Sequence, residues 1–83
     1  MLDERRKRLR FRAWRRGFRE IDLILGGFAD AHIGALDEAA LAEFERLLEA
    51  PDDDVYAWIV GRLTPPSEQD TGLLKRLREF APA

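Results

Sequence analysis

The chain has 83 residues, which suffices for one compact domain and is too short for two. It contains no cysteine, so a disulfide framework, a cysteine-ligated zinc site and a thiol nucleophile are excluded. It also lacks an apolar run near the roughly 20 residues of a membrane-spanning helix, and 36% of its residues are charged. We therefore expect a single folded domain over residues 1–83, located in the cytoplasm.

The net charge of −2 hides an uneven distribution. Residues 1–20 carry nine arginines or lysines against three carboxylates, whereas the rest of the chain carries five basic and thirteen acidic side chains. Such a chain can present its basic end to an anionic partner, or it can neutralise itself by folding that end against the acidic remainder. The sequence leaves both interpretations open.

The first two predicted elements are helices. The first spans about residues 4–15 behind Asp3, a typical N-cap, and its apolar residues form no single stripe, so only part of it can face a core. The second spans about residues 18–32, where apolar residues follow the i, i+3, i+4, i+7 spacing of a helix. These residues are Ile21, Ile24, Leu25 and Phe28. Gly26 and Gly27 lie among them and predict a kink or a close helix crossing, with an early helix end as the alternative.

A third helix is predicted over about residues 38–49. Asp37 precedes it as an N-cap, and Leu36 and Leu41 have the spacing of a hydrophobic staple across that cap. Its buried face is expected to consist of Leu41, Phe44, Leu47 and Leu48.

The last two predicted helices complete an all-α fold. The aspartates at 52–54 suit the N-terminus of a fourth helix over about residues 53–62, where the helix dipole favours carboxylates. They lack the ligand spacing and central glycine of a calcium loop, so capping is favoured over metal binding. A fifth helix is predicted over about residues 66–80, capped by Thr64 or by Ser67. Its expected inward residues are Leu73, Leu74, Leu77 and Phe80. No strand alternation appears, so the sequence predicts a small five-helix bundle.

Catalytic groups are scarce in this sequence. His32 is the only histidine and has no second metal ligand or catalytic partner at a useful spacing, which favours a helix-end role. The only serine, Ser67, lies at a capping position. The glycines of "LGGFAD" lack the preceding strand and the spacing of a phosphate-binding loop. These features argue against a hydrolase with a nucleophile and a base, and they offer no phosphate-binding device.

The stretch "RRGFRE" at residues 15–20 is the most informative motif. A continuous helix through Gly17 costs about 1 kcal/mol, more than an i, i+4 pair between Arg16 and Glu20 returns. A turn at Gly17 is therefore predicted, with this glycine as a left-handed C′ cap, Arg15 and Arg16 at a helix C-terminus, and Glu20 in the first turn of the next helix. Two arginines, a bare backbone and a carboxylate at one corner also suit a docking site, and both interpretations remain open at this stage.

At this point the sequence resembles a known family. The stretch "RRKRLRFRAWRRGFREIDLILGGF" is similar to the signature region of the small bacterial and mitochondrial succinate dehydrogenase assembly factors, of the FAD assembly factor type, which share an Arg-Gly-x-x-Glu motif. Here the motif consists of Arg16, Gly17 and Glu20. The later stretch "FERLLEAPDDDVYAWIVGR" also resembles the family, so the likeness covers nearly the whole chain. Phe18 departs from the methionine that many members carry.

The resemblance implies a five-helix bundle without catalytic activity. Such proteins bind the flavoprotein subunit of succinate dehydrogenase, or of fumarate reductase in bacteria, and promote covalent attachment of FAD to a histidine of that partner. FAD then belongs to the partner and is not held permanently by the assembly factor, which we expect to be a monomer when free. The resemblance carries Arg16, Gly17 and Glu20 over as the partner-binding corner. The residues expected to surround them are Arg12, Arg15, Phe18, Arg19 and Asp22.

The alternative function is binding of nucleic acid or an anionic membrane through the basic face at residues 5–19, which also contains Trp14. Against it, the chain is acidic overall and this helix has no clean apolar face to enter a bilayer. We therefore expect no nucleic-acid partner and no stable membrane insertion.

Overall fold

Five amphipathic segments form α-helices in the computed structural model, which describes residues 2–81. The helices are α1 (Glu4–Ala13), α2 (Arg19–His32), α3 (Glu38–Leu48), α4 (Asp52–Val60) and α5 (Gly72–Phe80). A short 3₁₀ turn at Ile33–Ala35 follows α2, and another at Ser67–Gln69 precedes α5. The described residues contain no strand, and the predicted all-α, five-helix bundle is confirmed.

Two of the predicted N-caps are present. The Asp3 side chain accepts a hydrogen bond from the Arg6 amide, and the Asp37 side chain accepts one from the Ala40 amide. Each bond satisfies an amide that the first turn of a helix leaves without a backbone partner. These two caps fix the starts of α1 and α3 where the sequence placed them.

The predicted start of the fifth helix is wrong. Residues 67–69 form a separate 3₁₀ turn, and α5 begins only at Gly72, capped by the Thr71 side chain, which accepts from the Leu74 amide. Neither Thr64 nor Ser67 caps α5. The Asp70 backbone, with φ −86° and ψ 74°, separates the two segments.

α2 and α5 end at His32 and Phe80, as predicted, whereas the other helix ends differ from prediction by one or two residues. α1 ends at Ala13 because the amides of Trp14 and Arg15 bond in the tighter i→i−3 pattern. α4 ends at Val60 and is followed by the C-cap Gly61, whose φ of 83° lies in the left-handed region that glycine adopts most easily. The structure thus places its left-handed helix cap at Gly61.

One hydrophobic cluster joins all five helices, and α2 contributes its central face. The predicted inward residues of α2 and α3 are buried, and Leu9 and Ala13 are the buried residues of α1, which therefore faces the core along only part of its surface. Phe80 differs from prediction: it is 38% exposed and packs the edge of its ring against Phe28, with 5.6 Å between ring centroids.

Gly26 marks the close crossing of α2 with the end of α1. A Cβ atom at this position would lie 2.2 Å from Cδ2 of Trp14, so the indole ring occupies the space that any side chain would need. The indole N–H donates to Asp30 at 3.2 Å. Of the outcomes predicted for the glycine pair, the close crossing is the one observed at Gly26, and α2 continues past both glycines to His32.

Part of the basic N-terminal segment is neutralised within the chain. Arg5 donates to Glu38 at 2.6 Å and to Glu45 at 2.5 Å, joining α1 to α3. These two carboxylates, Glu45 foremost, raise the pKa of Arg5, and the hydrogen bond from Arg5 lowers the pKa of Glu45. Arg6 donates to the carbonyl oxygens of Ile33 and Leu36. For these two arginines, folding onto the rest of the chain is the interpretation that holds.

Candidate docking site at the α1–α2 corner

Residues 14–18 connect α1 to α2, and Arg16 anchors this corner from within. Its side chain is only 11% exposed, and its Nη2 atom lies 2.7 Å from Oδ1 of Asp52 at the start of α4. The same nitrogen donates to the Ala50 carbonyl oxygen at 3.1 Å. Arg16 thereby ties the corner to the turn between α3 and α4.

The Arg16 backbone is anchored as well. Its amide donates to Oδ1 of Asp22 at 2.8 Å, so a side chain in the first turn of α2 holds the segment that leads into that helix. Asp22 is half-buried and directed at its own chain. Side-chain and backbone contacts together fix the position of the Arg16–Gly17 peptide.

Gly17 is required for a different reason from the one predicted. Among residues 2–81 only Gly61 has a positive φ, so the left-handed C′ cap predicted at Gly17 is wrong. A Cβ atom on Gly17 would instead lie 2.6 Å from Oδ2 of Asp52. The absence of a side chain lets the Asp52 carboxylate approach the corner and reach Arg16.

Glu20 has the opposite environment. It lies in the first turn of α2, as predicted, where a carboxylate matches the positive end of the helix dipole. This residue is exposed, and within residues 2–81 its side chain takes part in no hydrogen bond or ion pair. Arg16 pairs with Asp52 rather than with Glu20. The Glu20 carboxylate is therefore available to a donor from another molecule.

The other predicted site residues divide between surface and interior. Arg15 and Arg19 are exposed, and the Arg15 guanidinium stacks 3.8 Å from the centroid of the Phe11 ring. Arg12 is half-buried and is one of the cations that lower the pKa of Glu45, after Arg5. Their part in partner binding stays a prediction.

Phe18 links the corner to an apolar groove. It precedes α2 in extended conformation and packs edge-on against Tyr56 of α4, with ring centroids 5.3 Å apart. Tyr56 and Glu20 both line a groove of about 450 Å³ between α2, α4 and the end of α5. The full lining is Glu20, Leu23, Ile24, Tyr56, Val60 and Phe80. We call this feature the α2–α4 groove.

Sequence reasoning missed Asp52 and the apolar lining of the groove. Asp52 was interpreted only as a helix-start residue, and nothing in the local sequence shows that its carboxylate meets Arg16, which is 36 positions away. Leu23 falls outside the buried stripe of α2, but a single exposed leucine is normal on a protein surface and does not by itself indicate a site. The groove needs α4 and α5 beside Leu23, which only the tertiary fold supplies.

Residues 2–81 contain no group of three or more histidine, cysteine, aspartate or glutamate side chains placed to hold a metal ion. His32 is the last residue of α2, as predicted, and its ring packs against Phe28 and Phe80. No helix in this range is long and apolar enough to cross a bilayer.

A helical bundle with an internally anchored corner, an available carboxylate and an adjoining apolar groove has the features of a small protein-docking module. Comparison with known proteins agrees with this class: a family model described as "Flavinator of succinate dehydrogenase" matches residues 7–81. The chain belongs to this family, as its sequence motif indicated.

Named relatives extend the match. The chain is 41% identical over 78 residues to the "FAD assembly factor SdhE" of Acetobacter pasteurianus, covering 94% of this chain and 72% of that protein. It is 38% identical over 74 residues to the mitochondrial "Succinate dehydrogenase assembly factor 2" of Dictyostelium discoideum, covering 89% of this chain and 52% of the relative. The mitochondrial assembly factor 2 of Saccharomyces cerevisiae is 36% identical over 84 residues, with 96% and 52% covered. The chain thus spans about half the length of these mitochondrial relatives.

These names describe assembly factors rather than enzymes, in agreement with the prediction of a non-catalytic protein. They give no support to the alternative of a nucleic-acid or membrane-binding module.

Proposed function

We propose that this protein is an assembly factor that binds the flavoprotein subunit of succinate dehydrogenase and promotes covalent attachment of FAD to it. Family membership over residues 7–81 supports the activity. The structural observation that supports this function is the exposed Glu20 carboxylate, which lies beside a corner that Arg16 and Asp52 hold in place. Fumarate reductase, where a cell has it, is a second client in this proposal.

The proposed mechanism is differential binding. Covalent attachment is chemistry of the flavin and of the partner, and the helical bundle contributes a surface that favours the aligned conformation of the partner. Glu20 accepts hydrogen bonds from partner donors, while Gly17 leaves room for the Asp52 carboxylate that holds the corner in place. Arg16 serves this contact indirectly, since its guanidinium is bound to Asp52 and Ala50 of its own chain. FAD stays with the partner throughout.

Glu20→Ala tests the proposal. The bundle should stay folded and unfold within about 8 °C of wild type, because the exposed side chain contributes only its interaction with the helix dipole, about 0.3–1 kcal/mol. Covalent flavin on co-expressed flavoprotein subunit should fall, measured as flavin fluorescence of the denatured subunit band.

Glu4→Ala is a matched control, because Glu4 is also an exposed carboxylate in a helical first turn. It should leave covalent flavin at the wild-type level. Equal flavin fluorescence with Glu20→Ala, Glu4→Ala and wild-type protein would sink the assignment of Glu20.

The proposal includes a cytoplasmic location and a monomeric free protein. Fractionation of the source cell with an antibody to the chain tests the first, and sedimentation equilibrium of the purified protein tests the second.

A further inference from the structure

Exposed bulky apolar side chains cluster at the α2–α4 groove. Within residues 2–81 five large apolar side chains are exposed, and they are Phe11, Leu23, Val60, Leu63 and Phe80. Three of them, Leu23, Val60 and Phe80, line this one groove. Such clustering differs from the scattered exposed apolar residues that are normal on a surface and marks an interaction site.

The charge at the groove limits what can occupy it. Glu20 is the only charged residue in the lining, and it takes part in no ion pair within residues 2–81. A phosphate or carboxylate ligand would meet this carboxylate with no compensating cation in the lining. A ligand that combines an apolar group with a positive charge satisfies both the groove and Glu20.

The form of the groove favours a protein segment over a small molecule. Leu23 is 51% exposed and Val60 is 42% exposed, so the lining is open to solvent and would leave a small ligand largely uncovered. A protein surface can cover such an open groove and continue past Glu20 onto the α1–α2 corner, as an interface of about 800 Å² per partner requires.

A second copy of the chain is a poorer occupant. In a two-fold dimer built on this groove, both copies would contribute Glu20 and neither lining would contribute a cation. Two carboxylates would then lose water without gaining a counter-charge, which is unfavourable.

We propose that the α2–α4 groove receives a surface segment of the flavoprotein subunit in which a bulky apolar side chain neighbours a lysine or arginine. The apolar side chain packs between Leu23, Val60 and Phe80, and the cation binds Glu20. This inference rests on the proposed function and adds a second contact area, on α2 and α4, to the α1–α2 corner.

The decisive experiment compares leucines of similar exposure inside and outside the groove. Leu23→Ser and Val60→Ser, made separately, should each weaken binding to the purified flavoprotein subunit by about tenfold or more, measured by calorimetry, since removal of an apolar anchor at an interface centre has effects of this size. Leu63→Ser is the matched control, because Leu63 is 54% exposed and lies outside the groove lining. It should bind within about twofold of wild type.

The charge is tested with Glu20→Gln, which keeps the shape of the side chain. Affinity of the wild-type protein should fall as salt is raised, and Glu20→Gln should make this dependence shallower. Groove variants that bind as tightly as Leu63→Ser, or an unchanged salt dependence, would overturn the inference.

Failure of the inference and failure of the proposed function give different results. If groove variants bind normally while wild-type protein still binds the subunit and raises its covalent flavin, only the groove assignment falls. If wild-type protein neither binds the subunit nor raises its flavin content, the proposed function falls and the inference with it. A wild-type dimer that Leu23→Ser converts to monomer would show that a second copy occupies the groove, and would overturn the inference.

Discussion

Arg16 and Glu20 belong to one short motif, yet the fold gives them opposite environments. Arg16 is directed inward, is 11% exposed and binds Asp52 and Ala50 of its own chain. Glu20, four residues later, is exposed and unpaired within residues 2–81, and it lies at the edge of an apolar groove. Arg16 therefore stabilises the corner, whereas Glu20 is exposed there to other molecules. The two should therefore differ in how their substitution affects stability and partner binding.

The largest effect on stability is expected from Arg16→Ala. The substitution removes the ion pair with Asp52 and leaves the Ala50 carbonyl without this donor, which should cost about 2–3 kcal/mol of unfolding free energy for a pair that is mostly but not fully buried. Thermal unfolding should shift down by about 10–20 °C for a domain of this size. Arg15→Ala, at the exposed neighbour, should stay within about 0.5 kcal/mol of wild type. If the two variants unfold alike, the inward role of Arg16 is wrong.

Gly26→Ala should destabilise the α1–α2 corner through its contact with Trp14, without changing Arg16 or Glu20. The new methyl group would displace the Trp14 ring, and after the better helix propensity of alanine is counted we expect a net loss of about 2 kcal/mol. Gly27→Ala is the neighbouring control, since its Cβ would lie 3.4 Å from Phe80 and alanine is the better helix former, so it should be neutral or stabilising by up to about 1 kcal/mol. Chemical denaturation measures both. Equal stability of the two variants would contradict the close crossing at Gly26.

Gly17→Ala distinguishes contact with Asp52 from backbone strain. Because the expected cost, about 1 kcal/mol, comes from a Cβ atom 2.6 Å from the Asp52 carboxylate, it should nearly disappear in an Asp52→Ala background. A left-handed backbone would keep the full cost in both backgrounds. A double-mutant cycle of unfolding free energies makes the measurement, and additive costs would refute the contact explanation.

The smallest effect on stability is expected for the ion pair between Arg5 and Glu45. The Arg5 side chain is 31% exposed, more than that of Arg16. Its hydrogen bond lowers the pKa of Glu45 in the folded state below the ordinary value of 4.5, so this pair adds stability above that pH. The contribution is lost as pH falls through the folded pKa of Glu45. Glu45→Gln should therefore make the acid side of the stability profile slightly flatter, measured by urea unfolding across pH. The same substitution in an Arg5→Ala background should have less effect, and an equal effect there would contradict the pairing.

The sequence predicted the elements well because its signals for them are local. Asp3 and Asp37 cap the helices they precede, and the apolar spacing of α2 and α3 identified their buried faces. α5 is the exception: Ser67 has the residue type of an N-cap, but the two prolines before it lead into a 3₁₀ turn, and Thr71 provides the cap. Two competing capping residues four positions apart cannot be ranked without the packing of α5 against its neighbours.

The candidate site was predictable in part. Motif and resemblance directed attention to Arg16, Gly17 and Glu20, and the tertiary structure then distinguished their surroundings. Gly17 was assigned a left-handed backbone from local reasoning, whereas the structure explains it by the approach of Asp52. Phe80 was expected in the core because its spacing from Leu73 and Leu77 follows the helical repeat. It is the last residue of α5, however, and the hydrophobic cluster covers only part of a side chain at that helix end.

By itself, the sequence determined that this protein is a small helical bundle with a charged corner and no evident catalytic group, because helix spacing, capping and composition act over a few residues. Only the tertiary structure decided which charges of that corner are satisfied within the chain. The Arg16–Asp52 pair and the α2–α4 groove join residues far apart in sequence, and both depend on how α2, α4 and α5 pack. Helical periodicity gives the face of each helix, while the neighbour that covers that face, or leaves it open, is set by the packing of the whole bundle.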